Sequence, residues 1–249
     1  MLKRIAVIAE NGVDSAELEA ALNDVNCQCV SVTSGGALPP ATAVAVGSGA
    51  VGAIVAAAQA LGDRQEALLR LLATAIDCRE FYPPGDSLRV MEHASRFATA
   101  LGLSADERLA LERGALLRDI GKLDIPNEVL LKQDLLSYED WQFVRRHTHI
   151  GGDMVRHIDG LQDIEPVCRY HHESFDGEGY PDGLKEDDIP LLARIVKIVD
   201  VYCAMTCYRF YREGHVTPEE ALAHIKKERG GHFDPELVDV FLGKNVARI

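Results

Sequence analysis

The residues best suited to chemistry are polar side chains set in apolar, helix-patterned text: Asp119 in LLRDIGK, His147 in RRHTHIGG, His171 and His172 in YHHESFDGEGYP, and Asp200 in ARIVKIVDVY. Burying a charge in such text costs several kcal/mol unless the group is paired or coordinates a metal. Imidazoles and carboxylates drawn from separate helices suit a transition-metal centre, with iron or manganese as apt as zinc. The other histidines, His149, His157, His215, His224 and His232, read as ordinary core or surface residues. His93 follows Asp86 by two helical turns and shares its face, yet stays outside the expected ligand set.

These residues need helices to position them, and from Arg64 onward the pattern is helical throughout. Ser104 with Glu107, Ser137 with Asp140 and Thr217 with Glu220 form capping boxes or close variants, while Pro218 and Pro235 fall at first helical positions. The expectation is an all-α domain over 63–249, preceded by a small α/β domain over 1–62. In the latter, β-like runs from Arg4 to Ile8 and from Cys29 to Thr33 flank an acidic amphipathic segment, Ser15 to Leu22. A third run, Ala41 to Val46, leads into the turn GSGAVG. That turn lacks the Lys-Ser/Thr ending of a P-loop and the GxGxxG spacing, so it reads as packing.

The bulk numbers exclude several classes. A chain of 249 residues with 47% hydrophobic and 26% charged residues is an ordinary globular protein. A formal charge of -13 argues against binding a nucleic-acid polymer, which needs a basic face. It leaves room for a small anion, because a metal and a few cations set the local field of a site. No apolar run is long enough to span a membrane, and the six cysteines lack zinc-like spacing, so the expectation is a cytoplasmic protein with reduced thiols.

LLRDIGK, HHESFDGEGYPDGL, IPLLARIVKIVD and GGHFDPELV, in that order, resemble the signature blocks of HD-GYP domains over roughly Leu68 to Leu242. Those domains are similar to the wider HD phosphohydrolases. The resemblance implies a five-helix core around a two- or three-metal centre, and hydrolysis of cyclic di-GMP or a related dinucleotide. The ions would activate water and neutralise charge on the phosphoryl oxygens. By the same resemblance, Lys122 binds or polarises the scissile phosphate beside the catalytic Asp119, and Arg194 is a further phosphate contact. Tyr180 stacks on a guanine, bonds a phosphate, or packs against the next helix. The Gly179-Tyr180-Pro181 loop is also a partner surface in the family, with a diguanylate cyclase as the candidate partner and a homodimer left open. The N-terminal piece resembles a shortened receiver domain, but Glu10 stands alone and Gly47 and Ser48 follow the third run, so no phosphoacceptor is expected.

The chain departs from the family pattern at one half of the metal centre. The naming His-Asp pair reads Arg118-Asp119, and arginine offers a metal no lone pair and stays charged. Asp86 stands where the family has another histidine. It can bind a metal or form a buried salt bridge with Arg118, and the salt bridge is favoured. Tyr82 replaces the glutamate of three-metal members, and Cys203 replaces a further aspartate. The implied ligands of one ion are the positions of Asp86, Arg118, Asp119 and Asp200; those of the other are Asp119, His147, His171 and His172. Only the second set is intact, so one iron, manganese or zinc ion is expected rather than two or three. Two functions remain: a module that binds a ligand or partner with weak or no hydrolysis, which is favoured, and an active cyclic di-GMP phosphodiesterase with an altered metal set.

Overall fold

The computed structural model describes residues 4–7, 28–31, 64–79, 85–207, 216–244 and 246–247. Two compact units divide the chain, Met1–Leu71 and Leu72–Ile249. The division falls inside the first helix, downstream of the boundary expected after residue 62. In the first unit, β1 (Arg4–Val7) and β2 (Gln28–Ser31) pair in parallel with Arg4 opposite Gln28. A parallel pair needs a crossover between its strands, which fits a β-α-β start. The expected helix at Ser15 to Leu22, the third run, Glu10, Gly47 and Ser48 lie outside the described residues, as do Tyr82 and His215.

Helix α1 (Arg64–Asp77) is followed by α2 (Asp86–Leu101), α3 (Ala105–Leu117), α4 (Asn127–Leu130) and α5 (Tyr138–Arg156). Then come α6 (Glu165–Tyr170), α7 (Leu191–Thr206), α8 (Pro218–Lys227) and α9 (Pro235–Gly243). Short 3-10 turns lie at Ile120–Asp124, Gln162–Ile164 and Glu186–Asp188. The three capping boxes form as the spacing predicts: Ser104 starts α3, Ser137 starts α5 and Thr217 starts α8, each with its N3 carboxylate reaching back. Each satisfies amides that the first helical turn leaves without partners.

The core of the second unit lies among α2, α3, α7, α8 and α9, where Val90, Phe97, Leu111, Val199, Ile225 and Phe241 are fully buried. Phe97 and Phe241 meet with ring centroids 5.3 Å apart. His93 belongs to this core. Its ring packs edge-on against Tyr202 at 5.3 Å and its Nδ1 lies 3.4 Å from the Val246 carbonyl, so it has no part in a ligand cluster. On the other side, α5 packs on the Ile120–Asp124 turn and on α6, and α6 packs on α3 and α7. The polar residues singled out above sit where these helices converge.

Candidate metal centre

Asp119, His147, His171 and His172 each offer one ligand atom, and these four atoms lie within 4.8 Å of one another. Backbone carbonyls aim the rings. His171 follows the last residue of α6, and its Nδ1 lies 3.0 Å from the Val167 carbonyl and 3.2 Å from that of Cys168, among the acceptors a helix end leaves over. The Nδ1 of His147 faces the Val144 carbonyl one turn earlier in α5. A carbonyl only accepts, so Nδ1 carries the proton in each ring and Nε2 keeps its lone pair. Those two Nε2 atoms face each other at 3.5 Å, with Asp119 Oδ1 3.5 Å from one and 3.9 Å from the other.

Electron pairs converging without a hydrogen between them call for a cation, and the spacing suits metal–nitrogen bonds of about 2.1 Å. Burial keeps all three imidazoles neutral, pushing His171 down to about 3 and lowering His147 and His172 as well. Burial also works to raise the Asp119 pKa. Lys122, 3.2 Å away, and Arg118 outweigh it and hold the carboxyl well below the usual range. The donor set therefore fits a divalent transition ion.

The positions that the resemblance assigns to the other ion form an ion-pair network around Arg118. Arg118 is 2% exposed, and every nitrogen of its guanidinium is engaged. Nε donates to Asp200 at 2.7 Å, Nη2 pairs with Asp86 at 3.2 Å and Asp119 at 3.3 Å, and Nη1 donates to the Ala115 carbonyl at 3.1 Å and the Ser87 hydroxyl at 3.4 Å. Burial disfavours this charge, but Asp200, Asp119 and Asp86 together raise the guanidinium pKa further. Asp86 and Asp200 thus face Arg118 rather than joining the four-atom cluster. One oxygen remains over: Asp86 Oδ1 is buried without a hydrogen-bond partner.

Two glycines let the pieces approach. A Cβ on Gly121 would stand 1.9 Å from the His147 carbonyl oxygen and 2.6 Å from the Gly151 nitrogen, so α5 lies directly on the DIGK turn and brings His147 to Asp119. Replacing Gly121 with alanine must push these backbones apart. The expected result is a loss of about 3 kcal/mol in urea unfolding and a protein that no longer retains its ion through gel filtration. An unchanged midpoint with normal metal content would show that the crossing tolerates a methyl group. A Cβ on Gly179 would stand 2.2 Å from the Ser174 nitrogen, so the loop folds back on the His171-His172-Glu173 backbone.

That return lays the Tyr180 ring on His172, stacked at 4.7 Å, with the Arg145 guanidinium over it at 5.3 Å. The ring's contacts are thus with the chain itself, while burial raises its hydroxyl pKa. Glu173 anchors the loop by accepting from the Asp182 and Gly183 amides at 2.7 and 3.0 Å. Arg194, the residue expected on a phosphate, bridges Asp187 and Asp234 at 2.7 Å each, beside the cap that Asp234 makes on α9. Lys197 was not singled out in the sequence. Its ammonium donates to the His172 carbonyl at 3.1 Å, and its place one turn before Asp200 on α7 was the available signal.

The model of the family described as HD domain matches residues 57–237. The chain belongs to that family. Among HD-domain relatives, a cyclic di-GMP phosphodiesterase response regulator, RpfG, of Xanthomonas campestris is 37% identical over 76% of this chain and 50% of its own length. A 3'3'-cGAMP-specific phosphodiesterase of Vibrio cholerae is 30% identical over 73% of this chain and 35% of its own. The chain therefore spans half or less of the length of these relatives. A crystal structure of a cyclic GMP-AMP-specific phosphodiesterase of Vibrio cholerae superimposes with a TM-score of 0.57 at 24% identity, covering 72% of this chain and 48% of that one. That likeness shows the HD fold. The helical HD domain is as the sequence implies, and its relatives are phosphodiesterases of cyclic dinucleotides.

Proposed function

We propose that this is an HD-GYP protein of cyclic dinucleotide signalling that holds one iron, manganese or zinc ion on Asp119, His147, His171 and His172. It binds cyclic di-GMP or a related dinucleotide with weak or no hydrolysis. The observation that carries this reading is the Arg118 guanidinium at the centre of Asp86, Asp119 and Asp200. A fully paired guanidinium supplies fixed positive charge but no coordination site. A bound ion would act as a Lewis acid toward a phosphoryl oxygen. Lys122 presents its ammonium beside Asp119 for the same phosphate, and Tyr180 closes one wall over His172. Losing one of two charge-neutralising elements removes about 4 kcal/mol at the transition state, roughly a thousandfold in rate.

A second reading, an active phosphodiesterase with an altered metal set, is favoured by the unpartnered Asp86 Oδ1, which leaves that half-site one oxygen for an ion. It is favoured also by the names of the relatives. Two measurements separate the readings: metal content after purification without chelator, and product analysis after incubation with cyclic di-GMP and excess manganese or iron. One ion per chain and no turnover is the expected result. Two tightly held ions, or turnover that disappears in His171→Ala, would overturn it in favour of the second reading.

We further propose a small α/β domain over 1–62 ahead of the HD-GYP domain over 63–249. No described helix is long and apolar enough to cross a membrane. Cys78, Cys168, Cys203 and Cys207 are free thiols, which suits a cytoplasmic protein.

A further inference from the structure

Arg145 stands on α5 two residues before His147, and its guanidinium is used differently from those around it. Arg146 pairs with Asp124 at 3.5 Å and lies over the Phe143 ring. Arg169 pairs with Asp182 at 3.4 Å, and Arg194 with two aspartates. Arg145 is exposed, and no carboxylate, carbonyl or hydroxyl among the described residues accepts from it. It is held instead over the Tyr180 ring at 5.3 Å, and that ring lies against His172. Tyr180 thus touches both Arg145 and the ligand His172.

We propose that Arg145 is a second phosphate-binding residue of this site, taking one phosphodiester of a cyclic dinucleotide while Lys122 faces the other. The inference rests on the function proposed above. An exposed guanidinium offers a planar fork that matches two phosphate oxygens, and cation–π contact with Tyr180 sets its position beforehand. A cyclic dinucleotide carries two phosphodiesters on one ring. A cation beside the cluster and another at its mouth would separate such a ligand from one bearing a single phosphate.

The test is calorimetric titration of the manganese-loaded full chain with cyclic di-GMP, and with GMP as a one-phosphate probe. Arg145→Ala is expected to weaken cyclic di-GMP binding by about tenfold to a hundredfold, leaving GMP binding and manganese content as in the wild type. The salt dependence of cyclic di-GMP binding should become shallower, as expected when one phosphate contact is lost. Arg145→Lys should recover part of the affinity, because it keeps the charge and loses the fork. Unchanged cyclic di-GMP affinity in Arg145→Ala overturns the assignment, as does an equal loss for GMP. Wild-type protein that binds none of cyclic di-GMP, cyclic GMP-AMP and cyclic di-AMP would sink the proposed function and this inference with it. That failure is recognisable because it appears before any substitution is made.

Discussion

Replacing Arg118 with alanine is expected to destabilise the chelator-treated protein by about 3–5 kcal/mol, the usual cost of stripping the partner from buried charges. Three carboxylates depend on this side chain. Asp200 lies 2.7 Å from it, Asp86 3.2 Å and Asp119 3.3 Å, and among the described residues Lys122, which pairs with Asp119, and Lys197, which acts on Asp200 from one turn earlier, are left to offset part of this charge. The cost exceeds that of a surface pair because Arg118 is 2% exposed and the solvent cannot take over its role. The same deletion leaves an acidic cavity, so added manganese should raise the unfolding midpoint of Arg118→Ala more than that of the wild type, by the linkage of ligand binding to stability. Urea unfolding with and without manganese measures both effects. A chelated variant as stable as the wild type would mean that the aspartates tolerate one another, and that the guanidinium does not hold this half-site together.

The features legible in the sequence were those with a local period or a motif. Ser104, Ser137 and Thr217 announce their helices because a capping box is completed within four residues. Asp119, His147, His171 and His172 stand out as polar side chains on apolar helices, and the fold brings their ligand atoms together. Pairing between Arg118 and Asp86 was also expected from the exchange of two histidines for opposite charges. The share of Asp200 in that network was less visible, because the two residues are 82 positions apart and the contact depends on how α7 packs beside α3. Arg194 shows the same limit: its motif marks a cation, but its partners Asp187 and Asp234 are fixed by the approach of a 3-10 turn to the start of α9. The crossing at Gly121 depends on the same long-range packing, since a glycine in a turn says nothing of the helix laid over it.

Restoring both histidines, Asp86→His with Arg118→His, is expected to raise the ion count from one to two and cyclic di-GMP hydrolysis by at least about a hundredfold, or ~2.7 kcal/mol at the transition state. The surroundings favour the exchange. Asp86 opens α2, whose start is held by Asp77 accepting from the Gly85 and Ser87 amides at 3.1 and 3.2 Å and from the Ser87 hydroxyl at 2.6 Å. None of these bonds uses Asp86, so an imidazole can replace its carboxylate without loosening the helix. Position 118 closes α3 with αR backbone angles that any residue adopts, and Asp119 and Asp200 lose their guanidinium partner as the second ion arrives to replace it. The two changes must be made together. Asp86→His alone would set an imidazole beside Arg118, and Arg118→His alone would leave Asp86 to serve as a carboxylate ligand. Metal analysis and product analysis on the same preparation read the outcome, with His171→Ala in the double variant as the control that should abolish turnover. Two bound ions without turnover would place the block outside this half-site, at the pocket that receives the dinucleotide.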